Sequence, residues 1–572
     1  MLKTRIRPQN PNANMKRYYD TYHTFSWNDV EQELGIAGCS EINIVSQAID
    51  RWADDPKRGN KPALIFDKGE RALIFSYKEL KEKTCQWANF LVAHGFEPGD
   101  RLLILLPPCP EIYLAMIACA RLGAIFTNIY PRQTFDELEW ILFNAEPKAV
   151  LTDPDLVELL SHEGMERVGS VLLTGTEQTG MFPQEAPLEP SVGRMPKDFT
   201  TRLVAPETPL YLLYTSGSTG PPKGVVHAHG DMVGHYMTAR YVLDLQEDSI
   251  LWTDGDSSWV TGTVYGAFAP WLCGATSVIQ GQPFSASSWY RTLEKHRVSV
   301  WYTTPSTIRR LMEAGDDLPQ RYDFSHLRHI ASVGDALIPD LFFWVKEHFK
   351  LSPHDTWWMT ETGMICIANF PSEPIKPGSM GRPVPGIKAA SLDANGEPLP
   401  ILTLGELALQ VGWPSLMKAL WRDEERYKLY FRNGWFLTGD VVIKDEDGYY
   451  YHQGRNDDLI KVGEKLMGPY EIEQTLRLHP AVAEAAAIAK TAGKGKVAVK
   501  AFVRLNTGLT RSARLNHEIR AFLRANLHED VPLAEIEFVE DLPKTRSGKL
   551  LRRVLRAREL GLPSGDPSKL QE

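Results

Sequence analysis

Residues 214–224 read Tyr214-Thr215-Ser216-Gly217-Ser218-Thr219-Gly220-Pro221-Pro222-Lys223-Gly224. Glycines let a backbone take positive φ and bring N–H groups close to an anion, and Ser and Thr hydroxyls add further donors. Lys223 supplies a mobile cation for phosphate charge. The chemistry of such a run is phosphate binding, although the GxxxxGK[ST] spacing of a Walker loop is absent. A surface turn of small residues is the plainer alternative, and a run this long in this order weighs against it. Other polar residues are unremarkable alone. Lys549 lies in a basic stretch and reads as a solvated charge, Glu361 as a surface charge or cap, and Asp440 as a turn residue after Gly439. Trp357 reads as core and Gly463 as a simple turn.

The apolar run Pro209 to Tyr214 delivers the chain into the glycine-rich loop, as a buried strand does. Ser76-Tyr77-Lys78-Glu79 is a capping box, followed by Leu80, Thr84, Trp87, Ala88 and Leu91 on one helical face. The apolar stretch from Leu102 to Phe126 is broken by Pro107, Pro108, Pro110, Glu111 and Arg121, and reads as strand, turn and buried helix, not a membrane span. This alternation predicts an α/β fold with substantial parallel sheet. The last ~115 residues read as a separate small α/β unit of ordinary domain size. There Val497, Val499, Ala501 and Val503 alternate as a strand, and Leu515, Ile519, Phe522 and Leu523 recur at helical spacing. The short polar joint Gly454-Arg455-Asn456-Asp457-Asp458 reads equally as hinge or surface turn. It divides the chain into residues 1–456 and 457–572.

At 572 residues more than one core is expected, and 43% hydrophobic with 24% charged residues is ordinary for a soluble globular protein. Lys and Arg total 63 against 72 Asp and Glu, a net charge of −9, so no basic excess favours nucleic acid. The six cysteines are scattered without CxxC pairs, which argues against a disulfide framework or zinc site and suits a reduced cytoplasmic setting. The basic N-terminal residues precede no apolar stretch, so no signal peptide is expected.

The glycine-rich loop resembles the signature of the adenylate-forming superfamily: acyl-CoA synthetases, peptide-synthetase adenylation domains and luciferases. Trp301-Tyr302-Thr303-Thr304-Pro305-Ser306, Asp355 through Gly363, Gly434 through Asp440, Gly454-Arg455, and Pro543 through Lys549 resemble its later motifs, in its order. Within the superfamily the resemblance is strongest to AMP-forming acetyl-CoA synthetases and short-chain relatives. It implies a large N-terminal α/β adenylate-forming domain of several subdomains and a small mobile C-terminal α/β domain carrying a catalytic lysine. The implied substrates are a carboxylic acid, ATP with Mg²⁺, and coenzyme A.

By the same resemblance, Lys549 lies between the acyl carboxylate and the α-phosphate during adenylation. Thr215, Ser216, Gly217, Ser218, Thr219, Gly220, Lys223 and Thr360 face the phosphates, Lys465 lies near them, and Glu361 helps to hold Mg²⁺. Gly334, Asp335, Ala336, Asp355, Thr356, Trp357, Trp358 and Met359 belong to the ATP set, with Trp357 flanking the adenine. Asp440 takes the ribose hydroxyls and Arg455 contacts the same sugar. Asp457 matches the hinge residue, and Gly463 the small residue beside the pantetheine tunnel. Val260, Thr261, Val333 and Trp358 surround the acyl group, and that set implies acetate or propionate. Gly334-Asp335-Ala336 in place of Gly-Glu-Pro, Met359 in place of Gln and Lys465 in place of Arg depart from the acetyl-CoA synthetase pattern. A medium-chain or aromatic acyl-CoA synthetase and an adenylation module that loads a carrier protein remain as alternatives. A catalytically silent nucleotide-binding regulator would lack Lys549 or Glu361, and both are present. The basic character of the Lys549 motif also makes it a candidate target for a regulatory lysine acetyltransferase and deacetylase.

Overall fold

The computed structural model describes residues 4–8, 10, 12–131, 133–176, 178–215, 221–462, 465–492, 496–527, 531–544 and 550–560. The chain forms two compact units, Met1–Ile387 with Val411–Leu429, and Lys388–Gln410 with Tyr430–Glu572. Residues 457–572 fall wholly within the second.

Two large sheets build the first unit. One runs Ala419–Leu420, Lys223–Ala228, Pro209–Thr215, Ile125–Ile129, Arg101–Leu105, Ala149–Thr152, Ser170–Leu173 and Glu185–Pro187. Its members from Pro209–Thr215 to Glu185–Pro187 are parallel, and Lys223–Ala228 returns antiparallel beside Pro209–Thr215. The other sheet centres on parallel strands Thr276–Gln280, Ile250–Thr253, Val300–Thr303, His329–Ser332 and His354–Trp357. Both strand ends that matter below therefore emerge from buried parallel ladders, whose apolar runs reflect burial on two faces.

Local signals set several elements. Ser76 and Glu79 close the capping box on helix Tyr77–Ala93, and Leu80, Thr84, Trp87, Ala88 and Leu91 are all buried on it. The Leu102 to Phe126 stretch is strand Arg101–Leu105, helix Pro110–Leu122 and the start of strand Ile125–Ile129, with Gly123 ending the helix in the left-handed region at φ +77°. Among the described residues no helix is long and apolar enough to cross a membrane.

In the second unit, Trp435–Lys444 pairs antiparallel with Leu404–Gln410, Phe431–Arg432 and Tyr450–Arg455. A three-stranded sheet follows, Val482–Ala492, Lys496–Leu505 and Leu533–Val539. Helices Pro469–Arg477 and Ala513–Asn526 give Ile472, Leu476, Ile519 and Leu523 to a core shared with Val499, Ala501 and Val503. The alternation in Lys496–Leu505 and the period in Ala513–Asn526 thus point to one core.

Several charges of the first unit are wholly enclosed, Arg121 among them. Arg121, fully buried, is held by Asp50 through Nη1 at 2.9 Å and Nη2 at 2.6 Å, and by the hydroxyls of Thr84 and Thr201 at 3.1 and 2.6 Å. Removing one partner of a buried pair leaves the other uncompensated. Arg121→Leu is expected to lower stability by about 3 kcal/mol, with Arg121→Lys restoring only part because an ammonium cannot span the fork. Urea unfolding of the three proteins measures this, and equal midpoints for wild type and Arg121→Leu refute it.

Candidate active site

Strand Pro209–Thr215 ends at Thr215, opposite Lys223, so these two residues flank the glycine-rich segment. Ser216, Gly217, Ser218, Thr219 and Gly220 lie outside the described residues. Lys223 is buried, and its ammonium makes an ion pair with the buried carboxylate of Glu361. Glu361 sits in the single helical turn Thr360–Thr362 that follows strand His354–Trp357. The ion pair therefore ties the start of strand Lys223–Ala228 in one sheet to the turn after strand His354–Trp357 in the other.

The turn is pinned from behind. His227 Nε2–H donates to the Thr360 carbonyl at 2.7 Å, and its Nδ1 lies 2.6 Å from Asp231 Oδ2. Lys418 reaches Asp231 Oδ1 at 3.2 Å. Burial by itself pushes the Asp231 carboxyl up, but Lys418 and His227 together hold it below the ordinary carboxylate range. His235 donates through Nε2 to the Gly363 carbonyl at 3.0 Å, and burial brings that imidazole down to about 4. The Met417 amide donates to the Glu361 carbonyl at 3.0 Å and the Trp413 indole to that of Thr362 at 2.9 Å. Gly363 has φ +69°, and a Cβ there would lie 2.0 Å from the Ser415 carbonyl oxygen, so only glycine closes this turn.

On the neighbouring strand end, Asp355 accepts from Ser332 Oγ at 2.6 Å and from the Leu337 amide at 3.3 Å, and burial pushes its carboxyl up to about 7. Thr356 Oγ1 donates to the Ser332 carbonyl at 2.7 Å. Trp357 and Trp358 are both buried, and the Met359 amide donates to Thr362 Oγ1 at 3.1 Å. Gly334 takes φ +96° with Trp259, the residue before Val260, 3.4 Å from where its Cβ would be. Asp335 is exposed and Ala336 partly so. Val260 and Thr261 open helix Val260–Thr263, and Tyr265, on the turn that continues it, meets the Trp358 ring edge-on at 5.1 Å. Val333 follows strand His329–Ser332 and is buried. The first unit thus gathers Thr215, Lys223, Thr360 and Glu361 in one group, and the segments bearing Val260, Val333, Asp355 and Trp358 in an adjoining one.

In the second unit Asp440 and Arg455 are register partners on adjacent strands, joined by Nη1 to Oδ1 at 2.8 Å. Gly439, at φ +74°, would put a Cβ 3.0 Å from the Arg455 guanidinium. Asp457 lies in the turn Asn456–Asp458, where its carbonyl accepts from Arg556 at 2.6 Å. Its neighbour Asp458 accepts from Arg556 at 2.9 Å and Arg552 at 3.1 Å, while Arg552 also grips Glu473 at 2.6 and 2.8 Å. Helix Arg552–Glu559 is thereby clamped to the residue after Asp457. Gly463 and Lys549 lie outside the described residues, and of Lys465 only the backbone, in strand Lys465–Met467, is described. The flanks of the Lys549 segment meet, Lys544 bridging Leu550 and the Leu551 amide donating to the Pro543 carbonyl at 2.8 Å.

Sequence reasoning gave no role to His227, Asp231, Lys418, Tyr302, Arg552 or Asp458. The four-residue spacing of His227, near the end of strand Lys223–Ala228, and Asp231, in the turn after it, is the signal available for that pair. Tyr302 stood inside a recognised motif. Nothing local marks Lys418.

Residues 49–421 match the AMP-binding enzyme family, and residues 471–549 the AMP-binding enzyme C-terminal domain. An acetyl-coenzyme A synthetase of Bacillus subtilis (strain 168) is 41% identical over 564 residues, covering 98% of each chain. One from Methanothrix thermoacetophila is 36% identical over 95% of this chain and 87% of its own. The crystal structure of an anthranilate CoA ligase in complex with anthranoyl-AMP matches with a TM-score of 0.81 at 27% identity, over 91% of this chain and 98% of that one. With one family spanning 49–421, its C-terminal partner domain behind it, and a relative aligned almost end to end, the chain belongs to the AMP-binding enzymes of the adenylate-forming superfamily.

Proposed function

We propose that the chain is an AMP-forming acid–CoA ligase acting on acetate or a similarly short carboxylic acid, with ATP and coenzyme A as co-substrates. The observation that carries this reading is the 41% identity to an acetyl-coenzyme A synthetase over 98% of both chains. In the first half-reaction a carboxylate oxygen attacks the α-phosphorus of ATP, the bond to the β-phosphate bridging oxygen breaks, and acyl-AMP and pyrophosphate form. In the second, the coenzyme A sulfur attacks the acyl carbonyl and gives up its proton, and the bond to AMP breaks with the electron pair leaving on phosphate oxygen.

Two anions must meet in the first half, so cations and oriented donors have to offset their repulsion. Thr215 through Gly220, Lys223 and Thr360 are assigned to the phosphates, with Lys465 nearby. The Lys223–Glu361 pair supports this, because it sets a cation and a carboxylate side by side at the strand start opposite Thr215. Among the described residues no cluster of three or more acidic, histidine or cysteine side chains could hold a metal alone. Magnesium, which takes one or two carboxylates together with substrate phosphates and waters, fits a single buried carboxylate, and Glu361 would hold it. When bound it offsets phosphate charge. Gly334, Asp335, Ala336, Thr356, Trp357 and Met359 are assigned to the adenine end. Asp355 is assigned there too, and the bonds its oxygens accept from Ser332 and Leu337 also fix the strand end that carries Trp357. Asp440 and Arg455 are assigned to the ribose, and Gly463 to the pantetheine path.

The division at 456/457 is proposed as the hinge between the two half-reactions, with Asp457 as pivot. Asp457→Pro fixes φ near −65°. It is expected to retain adenylation and lose thioester formation, measured as pyrophosphate release and as acyl-CoA from pre-formed acyl-AMP. Unchanged overall turnover places the pivot elsewhere.

Lys549 is proposed to act in adenylation alone. Lys549→Ala should abolish pyrophosphate release, while pre-formed acetyl-AMP plus coenzyme A still gives acetyl-CoA within roughly tenfold of wild type, about 1.4 kcal/mol of barrier. Equal collapse of both halves in a folded variant refutes the assignment. Acetylation of the same amine removes its charge, so a lysine acetyltransferase and deacetylase are proposed as regulators. Full activity of stoichiometrically Lys549-acetylated protein excludes that.

Trp358 is proposed as the end wall of the acyl pocket, with Val260, Thr261 and Val333 beside it. Its indole can bury about 150–250 Å², and each methylene admitted in its place gains about 0.8 kcal/mol. Trp358→Gly should therefore improve kcat/KM progressively from butyrate to hexanoate and worsen it for acetate. A folded variant that still prefers acetate over every longer acid sinks the assignment. A panel of short, medium and aromatic acids read by AMP formation tests the substrate class itself.

A further inference from the structure

A wall discriminates only as well as it is held in place, and two tyrosines hold Trp358. Its Nε1–H donates to the Tyr302 hydroxyl at 3.0 Å, and its ring meets Tyr265 at 84°. The hydrogen bonds around Tyr302 have one consistent direction. Thr356 Oγ1 lies 2.7 Å from the Ser332 carbonyl, which can only accept, so the single Thr356 proton points there. The 2.7 Å contact between the Tyr302 and Thr356 hydroxyls is therefore donated by Tyr302. That leaves the Tyr302 oxygen to accept from the indole. The result is a one-way chain from Trp358 through Tyr302 and Thr356 to the carbonyl of Ser332, the residue directly before Val333.

The chain spans the ends of three parallel strands, Val300–Thr303, His329–Ser332 and His354–Trp357. It is buried along its length, with Tyr302 and Ser332 at 0%, Thr356 at 3% and Trp358 at 8% exposure, so solvent is poorly placed to replace a lost link. The Tyr302 ring also packs edge-on against Tyr265, centroids 5.5 Å apart. A phenylalanine at 302 would fill the same space. Only the hydroxyl ties the indole to the strand ends.

We infer that Tyr302 sets acyl-chain selectivity as a positioning residue, its hydroxyl locking Trp358 in the orientation that closes the pocket and fixing it relative to Val333. This rests on the reading of Trp358 as the end wall. Without that acceptor a buried N–H is left unpaired, and the ring gains by turning toward any other partner.

The test measures kcat and KM for acetate, propionate and butyrate in wild type, Tyr302→Phe, Trp358→Gly and the double variant, with melting curves. Tyr302→Phe should raise the propionate-to-acetate ratio of kcat/KM by about tenfold, equivalent to ~1.4 kcal/mol. On the Trp358→Gly background the same change should move that ratio less than about twofold, because residues acting through one contact are non-additive. A folded Tyr302→Phe with the wild-type ratio overturns the inference, as does an equal shift in both backgrounds. If Trp358→Gly itself leaves chain-length preference unaltered, the end-wall reading falls first, and the inference with it. Should Tyr302→Phe not fold, Trp358→Phe removes the same N–H from the other side. Because that variant also shortens the wall, the decisive fallback places benzothienylalanine at 358, which keeps the ring's size and lacks the N–H: a wild-type ratio there shows that the tether is not needed, and a raised one upholds it.

Discussion

The buried ion pair between Lys223 and Glu361 is the constraint around which the rest of the site is arranged. Each residue follows or begins an element of a different sheet, so the pair fixes one sheet's loop strand against the other's strand end. Burying two charges costs several kcal/mol each unless geometry and further hydrogen bonds offset it. The surroundings supply that support in layers. His227 holds the Thr360 carbonyl, Asp231 orients His227, and Lys418 offsets the charge of Asp231. Met417 and Trp413 add donors to the carbonyls on either side. A turn supported this way cannot drift, and Gly363 is the concession that lets it approach Ser415 so closely.

A site that must bring a carboxylate and a polyphosphate together benefits from such rigidity, because preorganised charges need not reorganise as the reaction proceeds. The same logic appears in the second unit at another scale. Arg552 and Arg556 bind Glu473, Asp458 and the Asp457 carbonyl, so the terminal helix and the turn at 456–458 form one body. On the reading of Asp457 as pivot, motion there carries helix Arg552–Glu559 with it.

Much of this was legible wherever the signal was local. The capping box at Ser76, the strand ahead of the loop, the proline-broken stretch from Leu102 and the helix bearing Leu515 to Leu523 each follow from a period or cap within one element. The motif residues were legible by likeness, which names a role without saying what supports it. Pairings across long separations were not legible. Arg121 broke an apolar run in the sequence, and its partner Asp50 lies 71 residues away. Lys223 and Glu361 are 138 residues apart, and Lys418 reaches Asp231 from a separate strand connection. Tyr302 was inside a recognised motif, yet its hydrogen bond to a tryptophan 56 residues on depends on strand order, which periodicity does not encode.

Selectivity for a short acid illustrates why these non-local contacts matter. Volume alone discriminates by about 1–3 kcal/mol per methylene, and a side chain free to swing aside forfeits part of that. Trp358 emerges just past a strand end, where backbone pairing no longer dictates side-chain direction. Its direction is set instead by a donor–acceptor chain running back to the Ser332 carbonyl and by the edge of Tyr265, which itself bonds Thr238 at 2.8 Å and the Ile365 amide at 3.0 Å. On the end-wall reading of Trp358, a large aromatic residue is thus half of a specificity device. The polar groups that orient it are the other half, and they lie on the adjacent strands Val300–Thr303, His329–Ser332 and His354–Trp357.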